Sequence, residues 1–351
     1  MARPIADDDL AMILAATAPL WEEVRGKRVF VTGGTGFFGA WIVESFCYAN
    51  RELGLGASIT VLTRDAGKFR AKCPHLAGDA AVTMHDGDVR DFAFPAGAFD
   101  FVIHAATEAS AKQAAEAPLE MLSTILAGTE RTLEFAAQCG AKKFLLTSSG
   151  AVYGAQPSEM THVPEEYAGA PDSLDAKSVY AEGKRASELM CALYADRFEC
   201  KIARCWAFCG PHLPLDAHFA VGNFIGDVLA GRPIEIAGDG TPTRSYMYAA
   251  DLVVWLWTIL LKAPAMRAYN VGSGESKSIR EAAEVVRRAL GMEAEVRVAK
   301  EAIAGARVSR YVPDVSRAEH ELGLRASVTL EEAVRRTAAW YGWKGVARGQ
   351  E

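Results

Sequence analysis

Tyr180-Ala181-Glu182-Gly183-Lys184 sets a phenol and an ammonium four residues apart. On a helix that spacing puts both side chains on one face. A phenol alone, with a reference pKa of about 10, is too weak an acid for work at neutral pH. A neighbouring ammonium favours its phenolate form. Such a pair can give a proton to an alcohol or sugar oxygen, or take one from it. The spacing recurs often by chance. Its position gives it weight, one structural unit after an apolar run ending at Thr147-Ser148-Ser149. A hydroxyl there can hydrogen-bond the same reacting oxygen. Ser148 and Ser149 compete for that role, and the spacing to Val152-Tyr153-Gly154 favours Ser149. Capping of a helix or turn is the ordinary alternative for such serines.

A second pattern supplies the partner for proton transfer. Lys27 to Val31 reads as a buried strand, followed by Thr32-Gly33-Gly34-Thr35-Gly36-Phe37-Phe38-Gly39 and then a helical pattern to about Leu53. Gly33 and Gly36 allow a tight turn and close backbone approach to a pyrophosphate. Gly39 allows the helix to pack on the sheet, and the helix N-terminus offers free N–H groups. This context predicts a dinucleotide site, with Gly33, Gly36, Phe37, Phe38 and Gly39 as candidate cofactor residues. The next strand ends in Thr63-Arg64, where an acid that binds ribose hydroxyls usually stands. A guanidinium there suits a 2′-phosphate, which favours NADP(H) and leaves NAD(H) as the alternative. In that alternative Arg64 is a surface residue and Asp65 serves the ribose. Asp88-Val89 is placed to bracket the adenine. His104-Ala105-Ala106-Thr107 ends another strand, with small Ala105 and Ala106 leaving room for cofactor and His104 read as a packed strand-end residue.

These groups need a scaffold. Short apolar runs at Ser58 to Thr63, Val82 to His85, Phe101 to His104 and Lys143 to Thr147 alternate with helical patterns over Pro118–Cys139 and Val179–Arg197. Alternation of this kind predicts right-handed βαβ units and an α/β fold, a Rossmann-type doubly wound parallel sheet. Residues 1–25 read as an N-terminal helical extension (Leu10 to Leu20), and 26–205 as the dinucleotide-binding domain. Residues 206–351 read as a smaller C-terminal α/β substrate lobe, with some segments returning to the first domain.

Composition narrows the partners. Of 351 residues, 50% are hydrophobic and 23% charged, which excludes a disordered chain. A formal net charge of −6 gives no bulk attraction to nucleic acid or anionic membrane. No apolar run approaches a membrane span of about 20 residues. The acidic Asp7-Asp8-Asp9 interrupts any signal-peptide pattern. Seven scattered cysteines suit reduced thiols and a cytoplasmic setting, and no metal set is expected around Cys205 and Cys209.

The segments Thr32–Gly39, Asp88-Val89, His104–Thr107, Ser148–Gly154, Tyr180–Lys184, Gly210-Pro211 and Gly238–Asp251 together resemble the extended short-chain dehydrogenase/reductase family, in its nucleotide-sugar epimerase/dehydratase branch. The resemblance covers nearly the whole chain from about Gly26. It implies a catalytic set of Ser149, Tyr180 and Lys184. It implies substrate contacts at Thr107, Ser149, Asn223 and Arg244, the last two toward the phosphates and nucleotide of a nucleoside-diphosphate sugar. It also implies a homodimer through helices near 118–139 and 178–197. A surface ion pair is the ordinary alternative for Arg244. His218 reads as a ligand contact or as a hydrogen-bonded structural histidine.

The departures from the family pattern point to the reaction. Gly150 and Ala151 stand where 4,6-dehydratases carry an acid pair, and Ala151 where related decarboxylases carry a glutamate. Ala207, Cys209 and Ile125 replace an Asn, a Tyr and an Asn, so the pocket is expected to be more apolar than usual. What remains is a hydroxyl, a phenol, a lysine and a nicotinamide. That set serves reduction of a nucleoside-diphospho-4-keto-6-deoxyhexose, or 4-epimerisation with tightly held NAD. Thr63-Arg64 tips the expectation toward the reductase. A non-catalytic dinucleotide-binding protein would have no need of all three reactive groups.

Overall fold

The apolar runs form β1 (Arg28–Thr32), β2 (Ser58–Thr63), β3 (Val82–Asp86), β4 (Phe101–His104), β5 (Lys143–Ser149) and β6 (Glu199–Cys205) in the computed structural model. A seventh strand, Ala268–Val271, joins them from far downstream. The structure describes residues 2–107, 111–217, 219–291, 294–303 and 305–345; His218 lies outside the described residues. Across the sheet the order is Ala268–Val271, β6, β5, β4, β1, β2, β3, with every neighbouring pair parallel. Strands buried on both faces explain the near-continuous apolar runs, as in Val29, Phe30, Val31 and Val102, Ile103. Strand order reverses between β1 and β4. Their carboxyl ends therefore open the crevice where such sheets bind ligands.

Element ends differ from the sequence expectation in two informative places. β5 runs on through Ser148 and Ser149, so Ser149 is the last strand residue. The helix expected to reach Arg197 stops at Leu193, because residues 194–198 must turn the chain back into β6 beside β5. At the N-terminus an α-helix spans Asp7–Thr17 and a 3-10 helix spans Ala18–Val24. Pro19 lacks the N–H that a continuing α-helix would bond to the carbonyl of Ala15.

The N-terminal segment covers the apolar helix Ala249–Lys262. Trp21 packs on Trp257 with ring centroids 4.8 Å apart. Asp9 is buried, a costly position for a carboxylate unless it is paired. It accepts from the Tyr248 hydroxyl at 2.6 Å and from Arg336 at 2.6 Å, which ties the first helix to the last, Leu330–Trp340.

The second lobe is built from short pieces. Thr243–Arg244 pairs with Lys277–Ser278 on one side and with Arg310–Tyr311 on the other. Ile234–Ile236 pairs with Val296–Val298, and Phe208–Cys209 with Met247–Tyr248. One continuous apolar core runs from Val29 and Ile59 of the large sheet through Trp255 and Leu256 to Val286 and Val334. The two lobes are thus packed as one body. All seven cysteines are buried free thiols. Among the described residues no helix is long and apolar enough to cross a membrane, and no cluster of His, Cys, Asp and Glu is arranged for a metal.

Candidate active site

The glycine turn fits a dinucleotide. Gly33 has φ +71°, and a β-carbon there would stand 2.4 Å from the Ala105 carbonyl oxygen. The turn after β1 and the end of β4 therefore touch backbone to backbone. A β-carbon on Gly39 would stand 2.3 Å from the Gly33 oxygen, so the helix Phe37–Glu52 starts directly against the turn. Gly36 differs. A β-carbon there would meet only the Gly33 oxygen, at an ordinary 3.5 Å. No side chain caps the helix at Gly36, so its first N–H groups are open to an anion. Phe37 and Phe38 pack on each other, and Phe38 sets its edge against Phe208 of the second lobe. The Ala106 N–H donates to the Thr32 hydroxyl at 3.2 Å, which completes the junction of β1 and β4.

At the end of β2 the carboxylates are engaged. Asp65 caps the helix Ala66–Lys72 by accepting from the Lys68 N–H at 2.7 Å, and Asp86 accepts from the Ala66 N–H at 2.9 Å. The buried Thr63 hydroxyl accepts from the Asp65 N–H. Arg64 is exposed, with no carboxylate in ion-pair range among the described residues. Asp88 is held by Arg90, which forks onto both carboxylate oxygens at 2.8 and 3.0 Å and holds the carboxyl below its usual range. Val89 packs against Gly128.

Tyr180, Lys184 and Ser149 converge where β5 ends over the helix Val179–Leu193. Lys184 is buried and donates to the Thr107 hydroxyl at 2.8 Å and to the Thr147 carbonyl at 2.9 Å. Burial brings its pKa down to about 8. Thr107, expected to face substrate, is brought to Lys184 and donates its own proton to the Ala106 carbonyl. The Lys184 nitrogen lies 6.0 Å from the Tyr180 ring centre. Desolvation pushes Tyr180 up to about 12, against a lowering hydrogen bond from Ser149. Ser148 is committed elsewhere. It donates to Glu188 at 2.5 Å, and Glu188 in turn holds Arg204 at 2.7 Å. His104 is caged by the hydroxyls of Thr32, Thr129 and Thr132. Burial brings its pKa down to about 3, so it stays neutral.

The wall opposite comes from the second lobe. The rings of Trp206 and Tyr311 pack at a tilt, with centroids 4.3 Å apart. A β-carbon on Gly150 would lie 2.6 Å from the Trp206 ring and 2.8 Å from the Tyr311 hydroxyl. Arg244 and Tyr311 are register partners on adjacent short strands. Both line a cavity of about 410 Å³ with Gln156, Arg307, Ser309 and Arg310. Arg244 bonds the carbonyls of Thr243 and Ser309 and has no carboxylate in ion-pair range among the described residues, so a surface ion pair does not explain it. Asn223 lies on the helix Ala220–Leu229, and among the described residues its side-chain oxygen is buried without a partner, as are the hydroxyls of Thr243, Ser245 and Tyr246. Leaving a buried polar atom unpaired costs about 1–3 kcal/mol.

A profile of the NAD dependent epimerase/dehydratase family matches residues 29–272. The chain belongs to that family. UDP-glucuronic acid decarboxylase 1 of Xenopus tropicalis is 28% identical over 317 residues, covering 90% of this chain and 72% of that protein. The dTDP-glucose 4,6-dehydratase of Streptomyces venezuelae, solved with NAD bound, is 26% identical with a TM-score of 0.75, covering 90% of this chain and 96% of that one. The UDP-glucose 4-epimerase of Thermus thermophilus, solved with NAD, is 27% identical with a TM-score of 0.73, covering 90% of this chain and 99% of that one. This family member therefore stands among nucleotide-sugar epimerases, dehydratases and decarboxylases, and shares their Rossmann-type fold. Sequence reading missed Tyr311 and Trp206. Neither sits in a recognisable spacing; each reaches the site through short strands and loops.

Departures seen in sequence now have packing reasons. Ile125 is buried against Gly183, one residue before Lys184, where the two long helices approach closely. Cys209 turns away toward Thr337, 3.3 Å from its hydroxyl, and burial pushes the thiol up to about 12.

Proposed function

We propose that this chain is an NAD(P)-dependent nucleoside-diphosphate-sugar oxidoreductase. It reduces the 4-keto group of a nucleoside-diphospho-4-keto-6-deoxyhexose, with Tyr180 as proton donor. The observation that carries this reading is the filled wall beside Ser149. Gly150 lies against Trp206 and Tyr311, and Ala151 carries only a methyl group. Positions 150 and 151 thus hold no carboxylate, which the resemblance ties to dehydration and decarboxylation. Hydride and proton exchange remain.

When bound, the nicotinamide supplies hydride to the ketone carbon. Tyr180 gives its proton to the oxygen that becomes the hydroxyl, and Ser149 hydrogen-bonds that oxygen. Lys184, fixed by Thr107 and the Thr147 carbonyl, presents its charge toward the phenolate left behind. Gly33, Gly36 and Gly39, with the open helix N-terminus, hold the pyrophosphate of the cofactor. Arg244, Arg307 and Arg310 suit the substrate's diphosphate, and the unpartnered Asn223 amide oxygen suits a donor on the nucleotide. Asp65 and Asp86 are engaged as caps while Arg64 is exposed at the end of β2, which supports NADPH as reductant.

A second reading, 4-epimerisation with retained NAD, is supported by the likeness to a 4-epimerase solved with NAD and uses the same three groups. Purification without added cofactor, release by denaturation and identification of the dinucleotide separate the two. Protein that comes empty, prefers NADPH over NADH, and loses that preference as Arg64→Ala supports the ketoreductase. Protein that retains NAD and gains nothing from a 2′-phosphate sinks it in favour of the epimerase.

The working unit is a homodimer. Leu189 and Leu193 are 63% and 72% exposed one turn apart on the helix Val179–Leu193, an apolar stripe suited to a second copy.

A further inference from the structure

We propose that Glu188 is a positioning residue: it locks the helix that carries Tyr180 and Lys184 against the strand that ends at Ser149. Tyr180, Lys184 and Glu188 follow one another at intervals of four on the helix Val179–Leu193, so they share one face. Glu188 stands two turns beyond Tyr180, about 12 Å along the axis, too far to touch the reacting oxygen. Its carboxylate instead binds both strands beneath the helix. Ser148 of β5 donates to Oε1 at 2.5 Å. Arg204 of β6 forks onto the same carboxylate, from Nε to Oε1 at 3.0 Å and from Nη2 to Oε2 at 2.7 Å. Ser148 and Arg204 are register partners across the two strands. One side chain of the helix thus bridges a matched pair of residues on the sheet.

The bridge is held from every side. The side chains of Arg204 and Glu188 are only 17% and 16% exposed, so neither charge can let go of the other without being left unpaired away from water. The remaining arm of Arg204, Nη1, donates to the Tyr153 hydroxyl at 2.8 Å and to the Glu165 carbonyl at 3.3 Å, which fixes the guanidinium from its far side. Lys184 makes the neighbouring tie, from its ammonium to the Thr147 carbonyl at 2.9 Å. The helix therefore holds β5 at two consecutive residues, Thr147 through Lys184 and Ser148 through Glu188, immediately before Ser149. Without Glu188, the Lys184 ammonium has to hold the strand and serve the phenol at once. Groups that exchange a proton are sensitive to such slack, since a misplacement of about 1 Å can cost about 10²-fold in rate.

This inference rests on Ser149, Tyr180 and Lys184 being the reactive set. Glu188→Gln keeps the reach of the side chain and removes its charge. Ser148→Ala cuts only the bond to β5 and leaves the ion pair intact, so it decides the matter even where Glu188→Gln fails to fold. With a keto-sugar nucleotide and NADPH, kcat should fall about tenfold to a hundredfold in Glu188→Gln and about threefold to tenfold in Ser148→Ala, with KM for the sugar nucleotide held within about twofold. The double variant should be no slower than Glu188→Gln, because both substitutions break the same link. A purely structural role lowers the melting temperature and leaves kcat per folded molecule unchanged. That result, with or without a raised KM, overturns the proposal, and so do additive losses in the double variant. Hydrogen exchange provides a readout that needs no sugar. In Ser148→Ala the amides of Val179–Leu193 should exchange about threefold to tenfold faster, while those of Ala220–Leu229 keep their protection. Unchanged exchange in Val179–Leu193 overturns the proposal as well. If the protein turns over no nucleotide sugar at all, the proposed function fails, while the exchange still decides whether Glu188 holds the helix.

Discussion

The two walls of the site are made differently. The Rossmann wall is backbone work: Gly33 and Gly39 lie so close to neighbouring main chain that a β-carbon on either would stand only 2.3–2.4 Å from it, and Ser149 and Lys184 stand at fixed points on a long strand and a long helix. The facing wall is side-chain work: Arg244, Tyr311 and Trp206 come from two-residue strands and turns. Regular elements hold reacting groups at constant distance and tolerate little change. Short strands let the side chains above the sugar vary while the fold stays. On the proposed function, one wall carries the hydride and proton exchange and the other holds the substrate.

Substitutions on each wall should separate these roles. Tyr180→Phe removes the proton donor and should cost about 10²- to 10⁴-fold in kcat, with dinucleotide affinity unchanged by fluorescence titration. Equal turnover in that variant would move the chemistry off the Rossmann wall. Arg244→Ala on the opposite wall should raise the KM for nucleotide sugar about 10- to 100-fold, with kcat largely kept, because a charge-assisted contact is lost from substrate and transition state alike. A matching fall in kcat would make Arg244 part of the chemistry.

The pH dependence belongs to the Rossmann wall. Burial brings the Lys184 pKa down from 10.5 to about 8, so its charge is lost as pH rises through 8. Tyr180 keeps its proton up to about 12. For ketone reduction, kcat/KM should therefore be level below pH 8 and fall about tenfold per unit above it. Tyr311→Phe should leave that limb in place. The linkage has the opposite sign. Between about 8 and 10.5 the unfolded chain binds the extra proton, so Lys184's contribution to stability rises with pH across that window. Thermal melts of Lys184→Met should lack this gain. The smallest catalytic effect is expected away from both walls. Leu189→Glu with Leu193→Glu should give a monomer by analytical ultracentrifugation with kcat within about twofold, since an exposed apolar face mainly affects association.

The first half of the chain was legible because its signals are local. A strand followed by Gly33–Gly39 and a helix can be read in one window, and so can Tyr180 and Lys184 on one helix face. Ser149 was found from its neighbours. The ends of elements were less legible: the helix stops at Leu193 because the return into β6 demands it, which no periodicity records. That the Thr107 hydroxyl accepts from Lys184 was not legible either, because it depends on a strand end lying beside that helix.

The order of the apolar runs and the glycine spacing were enough to determine the doubly wound sheet, the dinucleotide turn and the phenol–lysine pair, because each follows from contacts within a few residues or from the period of one element. Tertiary structure alone decided that Tyr311 and Trp206 fill the space above Gly150, that Ser148 serves Glu188 and Arg204, and that Asp65 and Asp86 are used as caps near Arg64. Those facts depend on which distant segments fold onto one another.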